Sequence, residues 1–144
     1  MRHTPPPTPP WLKHATPPAA LHVGIIMDGN ARWATQHRKP IADGHKAGVA
    51  ALRATVDAAL ASSAVHTLSV YAYSAENFQR PPGETAAILG LVERVVADEA
   101  EHLAARGVQL RFIGELERLP RGLQQTLDAV AHHAPAEPVN LVLN

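Results

Sequence analysis

The sequence has no cysteine, few aromatic residues (4%) and no excess charge, and these absences exclude several classes of protein. Without cysteine, the chain of 144 residues can form neither disulfide bonds nor thiolate zinc sites, and it has no thiol nucleophile. Its 13 basic and 13 acidic side chains cancel, which argues against a nucleic-acid partner. No apolar run approaches the roughly 18 residues of a membrane span, and no signal peptide is visible. We therefore expect one soluble, cytoplasmic domain without a membrane span.

Proline is concentrated at the amino terminus. Seven of the 13 prolines lie within residues 1–18. Because proline fixes φ and removes a backbone donor, this stretch can form neither a helix nor a central strand. We predict a disordered or extended tail over residues 1–20, followed by one domain over residues 21–144.

Strand-like and helix-like segments alternate after this tail. Short β-branched and apolar runs predict strands, and apolar residues at helical spacing predict helices, the first of them capped by Asp43. Helices between successive strands imply a parallel sheet covered on both faces, so the predicted class is α/β, and strand one should be buried on both sides. The predicted strands are His22–Met27, Thr67–Tyr73, Val108–Ile113 and Val139–Leu143, and the predicted helices are Gly44–Ala61, Pro82–Arg106 and Pro120–His133.

Polar side chains gather after the first two predicted strands. Residues 28–33 follow strand one and residues 74–81 follow strand two, so both segments belong to the rim where parallel sheets bind ligands. Asp28 is a candidate Mg²⁺ ligand, because this ion prefers carboxylate and phosphate oxygens. Gly29 permits close backbone approach, Arg32 can pair with phosphate, and the predicted helix start at residues 44–46 offers free amides to an anion. Together these features predict a metal-assisted diphosphate site.

Each of these features also has an ordinary structural explanation. Asp28 and Gly29 after a strand are typical of a simple turn, and a histidine such as His45 at a helix start is more often a cap or a solvent contact. Trp33 and Phe78 more often pack at a rim than support a substrate. Several anion-binding elements on one rim favour a ligand site, but they do not identify a reaction.

Four sequence blocks closely resemble one enzyme family. The blocks HVGIIMDGNARWA, GHKAG, LSVYAYSAENFQRPPGE and VQLRFIGELERLP occur in the order and with the spacing of the cis-prenyltransferases, typified by undecaprenyl diphosphate synthase. The resemblance extends from His22 to Asn144. It implies Mg²⁺-dependent condensation of isopentenyl diphosphate with an allylic diphosphate such as farnesyl diphosphate, forming a cis-polyprenyl diphosphate.

The resemblance also implies which residues act. Asp28 corresponds to the Mg²⁺ ligand and essential carboxylate, and Asn77 to the residue often assigned as proton acceptor. Because a carboxamide is a very weak base, we expect Asn77 to position the substrate or a proton-accepting phosphate. The apolar face of the long helix corresponds to a tunnel wall for the growing chain. The implied substrate-binding residues are Gly29, Asn30, Ala31, Arg32 and Trp33 in the first block, His45 in the second, and Ser74, Ala75, Glu76, Phe78 and Arg80 in the third.

Three positions depart from the family pattern. Ala31 replaces a common glycine, and Phe78 stands where tryptophan is frequent. Ile41 occupies the position of a diphosphate-binding arginine in many members, and Arg38 or Lys39 is the expected substitute. This last departure weakens the expectation of a very long product.

The resemblance covers only the amino-terminal portion of the family pattern. Family members continue with the isopentenyl diphosphate site, a second metal-binding glutamate and much of a dimer surface. We therefore expect an incomplete domain, which would form a homodimer if complete and would contact membranes only peripherally. The alternative function is a catalytically silent subunit that binds the allylic diphosphate, or an inactive fragment.

Overall fold

The computed structural model describes residues 20–132 and 141–143. The predicted tail over residues 1–20 lies outside these residues, except for residue 20. The elements follow one another as β1 (Leu21–Ile26), α1 (Asn30–Gln36), α2 (Ile41–Ala61), β2 (Val65–Tyr71), a 3-10 helix (Ala75–Gln79), α3 (Pro82–Ala105), β3 (Val108–Leu110), a second 3-10 helix (Leu116–Arg118), α4 (Arg121–His132) and β4 (Leu141–Leu143).

The four strands form one parallel sheet in the order β1-β2-β4-β3. His22 of β1 lies opposite Thr67 of β2, and β4 joins β2 and β3 through pairs that include Val142 and Leu143. Parallel neighbours require crossover connections, and helices supply them between successive strands. The predicted α/β class with a parallel sheet is confirmed.

Helices α2 and α3 pack on one face of β1 and β2. Val56 of α2, Leu68 of β2 and Leu103 of α3 belong to one buried cluster, in which Leu68 is 1% exposed. On the opposite face of the same strands, Ile26 is 75% exposed and Tyr71 is 57% exposed. Among the described strands, β1 lies at the edge of the sheet, and its side chains alternate between these two faces instead of being buried throughout as the apolar run suggested.

Helix α4 forms a second cluster with α3. Leu123 and Leu127 of α4 are spaced for one helical face, and they are buried together with Leu89 of α3. This cluster holds the segment after β3 against the start of α3. Among the helices that the structure describes, none combines the length and the apolar character needed to cross a membrane.

The structure corrects two local predictions. Residues 30–36, where no helix was predicted, form helix α1. Helix α2 begins at Ile41, so Asp43 lies in its first turn, and Pro40 occupies the N-cap position that was predicted for Asp43. Pro40 has the extended ψ of 150° that precedes a helix, and α2 starts directly after it. The segment 44–46 is therefore inside a helix and does not offer free terminal amides.

Candidate functional site

A cavity of about 430 Å³ lies between the sheet, α2 and α3. This volume is within the range of about 300–1,000 Å³ that is typical of small-molecule sites. Its walls are largely aliphatic, and they include the apolar face of α3, for which the family resemblance implied this role. The wall residues include Val49, Leu52 and Val56 of α2, Val70 of β2, and Ile88, Leu91, Val92, Val95 and Val96 of α3.

Polar side chains line the cavity near the points where β1 and β2 end, which we call the rim end. Asn30 comes from the start of α1, His45 from α2, Asn77 from the first 3-10 helix, and Arg80 from the turn before α3. Carboxyl ends of parallel strands share one edge, so residues that are distant in sequence meet here. Four of the predicted site residues are therefore brought together at one end of an apolar cavity.

The turn between β1 and α1 carries the predicted metal ligand. Gly29 has a φ of 91°, a left-handed conformation that favours glycine, and its amide donates to Asp28 Oδ1 at 2.6 Å. Arg32 donates to Asp28 Oδ2 at 2.9 Å, and both side chains are about three-quarters exposed. The Gly29 amide, followed by Arg32, lowers the pKa of Asp28, so this carboxylate is ionised at neutral pH.

One exposed carboxylate fits Mg²⁺ when substrate phosphates and water complete the coordination shell. Within the described residues, no group of three or more histidine, aspartate or glutamate side chains is placed to hold a metal by itself. Asp28 has lone pairs left on both oxygens, in spite of its two hydrogen bonds. The donor set thus suits an ion bound jointly by Asp28 and a ligand, and does not suit a metal held by the protein alone.

Hydrogen bonds within residues 74–84 fix the second polar segment. The Asn77 amide nitrogen donates to Ser74 Oγ at 3.0 Å, and Arg80 Nε donates to Asn77 Oδ1 at 3.0 Å. Arg80 also donates to Glu84 Oε1 at 2.6 Å. Asn77 therefore orients Arg80, which agrees with a positioning role better than with proton abstraction. The pKa of Glu76 is lowered by a hydrogen bond from Ser74, although Glu76 itself is exposed.

His45 presents an unpartnered nitrogen to the cavity. Its Nε2 is buried and has no hydrogen-bond partner among the described residues. Burial lowers the pKa of His45, while the nearby Glu84 raises it and Arg80 lowers it. The imidazole is therefore neutral at neutral pH, and Nε2 is available to a ligand. Buried polar atoms normally have partners, so this nitrogen marks a place where a polar ligand group fits.

Helix α1 packs against two glycines of α2. A Cβ atom added to Gly44 would overlap the carbonyl oxygen of Asn30, and one added to Gly48 would lie 2.6 Å from Asn30 Oδ1. The small residues of the GHKAG block therefore allow Asn30 to reach the cavity wall. Close packing of α1 on α2 therefore explains the two glycines of this block, which the sequence analysis had interpreted as part of a helix start.

Other predicted site residues lie beside the cavity and do not line it. Trp33 stacks on His37 with ring centroids 4.1 Å apart, and Lys39 lies 5.6 Å above the Trp33 ring. Phe78 packs edge-on against Tyr73 at 5.0 Å. Ile41 is half exposed on α2. The predicted site residues that do not line the cavity are Asp28, Gly29, Ala31, Arg32, Trp33, Ser74, Glu76 and Phe78.

Sequence analysis missed several residues of the cavity. Tyr73 lines it with a buried hydroxyl that has no partner in the described part of the chain. Arg53 and Asp57 of α2 line it as well, together with Glu99 and Arg106 of α3. Charged residues on helices normally belong to solvated faces, and only their spacing in register with the aliphatic wall residues could have indicated otherwise.

The fold and the residues of the cavity together indicate the class of protein. This is an α/β protein whose site suits a molecule with an anionic group and an apolar tail. Residues 26–144 match the family described as putative undecaprenyl diphosphate synthase, and the chain belongs to that family. The resemblance to the cis-prenyltransferases is confirmed.

Two bacterial relatives support this membership. The chain is 44% identical over 107 residues to isoprenyl transferase 1 of Bradyrhizobium diazoefficiens, covering 74% of this chain and 43% of that protein. It is 40% identical over 134 residues to the farnesyl-diphosphate-specific ditrans,polycis-undecaprenyl-diphosphate synthase of Xanthomonas oryzae, covering 91% of this chain and 51% of the relative. The chain thus spans about half the length of the curated relatives it matches.

Solved structures show the same fold. Lavandulyl diphosphate synthase from Lavandula x intermedia, in complex with dimethylallyl diphosphate, matches with a TM-score of 0.77 and 26% identity over 85% of this chain and 52% of that one. A probable undecaprenyl diphosphate synthase from Campylobacter jejuni matches with a TM-score of 0.67 and 25% identity, covering 85% and 51%.

Proposed function

We propose that this chain binds an allylic prenyl diphosphate and takes part in Mg²⁺-dependent transfer of its prenyl group to isopentenyl diphosphate, giving a cis-polyprenyl diphosphate. The observation that carries the proposal is an aliphatic cavity whose rim end holds Asn30, His45, Asn77 and Arg80. Transfer of a hydrocarbon tail out of water is favourable, whereas a diphosphate needs hydrogen-bond donors and cations. The aliphatic part of the cavity suits the tail, and its polar rim end suits the diphosphate.

The diphosphate would be held by the two segments at the rim end. Arg80 is oriented by Asn77, and His45 Nε2, which no described residue contacts by a hydrogen bond, can hydrogen-bond an oxygen. Arg32 already lies beside Asp28 and can contact a bound anion from there. Asp28 would hold Mg²⁺ together with the diphosphate, and the ion would neutralise charge on the leaving diphosphate. Groups prearranged for that developing charge lower the barrier to its departure.

The prenyl chain would occupy the aliphatic part of the cavity. Val49 and Val95 belong to the facing helices, and Val70 belongs to the sheet that covers the third side. These walls exclude water from the first carbon of the prenyl group when its bond to the diphosphate breaks. The Xanthomonas relative is named as specific for farnesyl diphosphate, and the lavender enzyme is in complex with dimethylallyl diphosphate. Allylic diphosphates of different chain length are therefore suitable ligands for testing this cavity.

Further parts of the proposal concern partners. By analogy with the family pattern, isopentenyl diphosphate is the second substrate, a homodimer is the assembled form, and membrane contact is peripheral. Size-exclusion chromatography with light scattering tests the dimer directly, and a monomer at micromolar concentration would contradict that part alone.

Calorimetric titration of the purified chain with farnesyl diphosphate and Mg²⁺ tests the binding proposal. We expect saturable binding that weakens when Mg²⁺ is omitted, and much weaker binding of farnesol or of inorganic pyrophosphate, because each offers one half of the ligand. No binding of farnesyl diphosphate would overturn the proposal. Adding isopentenyl diphosphate then tests turnover, and binding without product would favour the silent-subunit alternative.

A further inference from the structure

Tyr73 lies at the rim end of the cavity, at the point where β2 passes into the second polar segment. It follows the last residue of β2 by two positions, and it precedes the segment that carries Asn77 and Arg80. It lines the same cavity as these two residues and His45. The sequence pattern assigned Tyr73 only to a strand, so its place beside the polar residues of the site comes from the structure.

The hydroxyl of Tyr73 is one of two unpaired polar groups at this cavity. Among the described residues, two buried side-chain polar atoms have no hydrogen-bond partner, and they are His45 Nε2 and Tyr73 Oη. Both belong to residues that line the cavity. Burial without a partner is unfavourable for a polar atom, and native proteins rarely leave such atoms unpaired. Two of them at one cavity therefore indicate a ligand that brings hydrogen-bonding atoms to both.

The ring of Tyr73 is held in place by its neighbours. Phe78 packs against it edge-on with ring centroids 5.0 Å apart, and the guanidinium of Arg118 lies 4.7 Å from the centroid of the Phe78 ring. Tyr73 also packs against the buried cluster that contains Leu89 and Leu123. A hydroxyl on a ring held in this way loses little conformational entropy when it binds a ligand.

The chemistry of the ligand decides which of its atoms can pair with this hydroxyl. The tail of an allylic prenyl diphosphate is a hydrocarbon and offers no hydrogen-bond acceptor. Its diphosphate offers several oxygen atoms that carry negative charge. A phenolic hydroxyl can donate to such an oxygen, and hydrogen bonds to charged acceptors are stronger than those between neutral groups. The diphosphate is therefore the part of this ligand that can satisfy the hydroxyl.

We propose that the Tyr73 hydroxyl donates a hydrogen bond to the diphosphate of the bound allylic substrate, and that Tyr73 is a further substrate-binding residue of this site. The inference rests on the proposed function, because it requires an allylic prenyl diphosphate in the cavity. Tyr73 adds a neutral donor to the guanidinium of Arg80 and the imidazole of His45. Since the hydroxyl has no protein partner among the described residues, it stabilises the complex and not the free protein.

Replacing Tyr73 with phenylalanine tests the hydroxyl alone. Tyr73→Phe keeps the ring that packs against Phe78, and in calorimetric titration with Mg²⁺ its affinity for farnesyl diphosphate should be about tenfold or more below that of the native chain. The thermal midpoint of the free variant should stay the same or rise, because the substitution removes a buried polar atom without a partner. A residue that only supports the fold would lower the midpoint when altered, so a fall would overturn the inference.

Dimethylallyl diphosphate separates a contact with the diphosphate from a contact with the tail. It carries the same diphosphate on a single isoprene unit, so Tyr73→Phe should weaken its binding by the same factor as that of farnesyl diphosphate. A loss confined to farnesyl diphosphate would mean that Tyr73 acts on the hydrocarbon, and this result would also overturn the inference.

Tyr71→Phe is the matched control. Tyr71 belongs to β2, but it is 57% exposed on the opposite face of the sheet and does not line the cavity. Its substitution should leave both affinities at the native value, and a loss equal to that of Tyr73→Phe would contradict a specific contact.

The outcomes distinguish this inference from the proposed function. If folded Tyr73→Phe binds both diphosphates with native affinity, the inference fails and the proposed function stands. If the native chain binds neither diphosphate, both proposals fail together.

Discussion

At the scale of single residues, hydrogen bonds decide what each polar side chain of the site can do. Asn77 uses its amide nitrogen on Ser74 and its oxygen on Arg80, so it positions a cation. Arg32 donates a hydrogen bond to Asp28, so the guanidinium and the carboxylate are held next to each other. His45 differs from both, because its Nε2 is buried without a partner in the described residues. This nitrogen is therefore available to a ligand, as is the buried hydroxyl of Tyr73, which also has no partner in the described part of the chain.

Replacing Asp28 with asparagine tests its role in binding Mg²⁺. Asp28→Asn keeps the shape of the side chain but removes its charge, so Mg²⁺-dependent affinity for farnesyl diphosphate should fall by about tenfold or more. The thermal midpoint should stay unchanged, since the side chain is 75% exposed. Asp128→Asn is the control, because Asp128 is 80% exposed on α4, away from the cavity. Equal effects of the two variants on affinity would contradict the assignment.

His45 predicts a pH dependence of stability. Burial holds its pKa in the folded protein below the ordinary value of 6.5, so the unfolded chain binds the proton more strongly. The free energy of unfolding should therefore decrease as the pH falls from 6.5 to the folded pKa. In His45→Gln this part of the decrease should be absent. Urea denaturation of both proteins at several pH values measures the difference, and parallel pH profiles would show that His45 makes no such contribution.

At the scale of elements, the site depends on how closely α1 approaches α2. Asn30 packs against Gly44 through its backbone and against Gly48 through its side chain. The two glycines thus control different parts of the same residue. A backbone carbonyl cannot move without displacing α1, whereas a side-chain amide can rotate.

Alanine substitutions at these glycines should have distinct effects. Gly44→Ala should destabilise the protein by about 1–3 kcal/mol, because the new methyl group overlaps the backbone of Asn30. Gly48→Ala should change stability little, since the gain in helix propensity offsets the displaced amide, but it should weaken farnesyl diphosphate binding. Gly90→Ala on α3 is the control, because its Cβ would meet only Arg94 Nη1 at 3.7 Å. It should stabilise by about 0.5–1 kcal/mol. Denaturant unfolding measures the stability of each variant, and calorimetry measures its affinity for farnesyl diphosphate. A Gly44→Ala variant with native stability and native affinity would refute the packing argument.

At the scale of the whole molecule, two buried clusters meet along α3. One cluster joins α2, α3 and the sheet around Leu68, and the other joins α3 and α4 around Leu123. Helix α3 takes part in both, and Ile88, Leu91 and Val95 of the same helix line the cavity. The helix that closes the site therefore also holds the two halves of the core together.

Truncating Leu68 tests the first cluster. Leu68 is 1% exposed, so Leu68→Ala should lower the free energy of unfolding by about 2–5 kcal/mol. Ile113 is 74% exposed, and Ile113→Ala should change it by no more than about 0.5 kcal/mol. Urea denaturation of both variants makes the comparison. Equal losses would mean that the sheet cluster does not organise the fold.

Local pattern was sufficient for the order of strands and helices, the α/β class and the family. The blocks at residues 22–34 and 68–84 combine a strand with the polar segment that follows it, and both kinds of signal depend on neighbours in sequence. The start of α2 was mispredicted because Asp43 was a better local cap than Pro40. The seven-residue helix α1 was missed because so short a segment has little periodicity.

Only the tertiary structure decided which side chains share the cavity. The sequence by itself determined that Asp28, His45 and Arg80 were candidates, because strand exits and residue chemistry are local properties. The meeting of Arg53 with Glu99 depends on how α2 and α3 pack on the sheet. Contacts between elements arise from long-range packing, so residues 46 positions apart carry no local signal of their pairing.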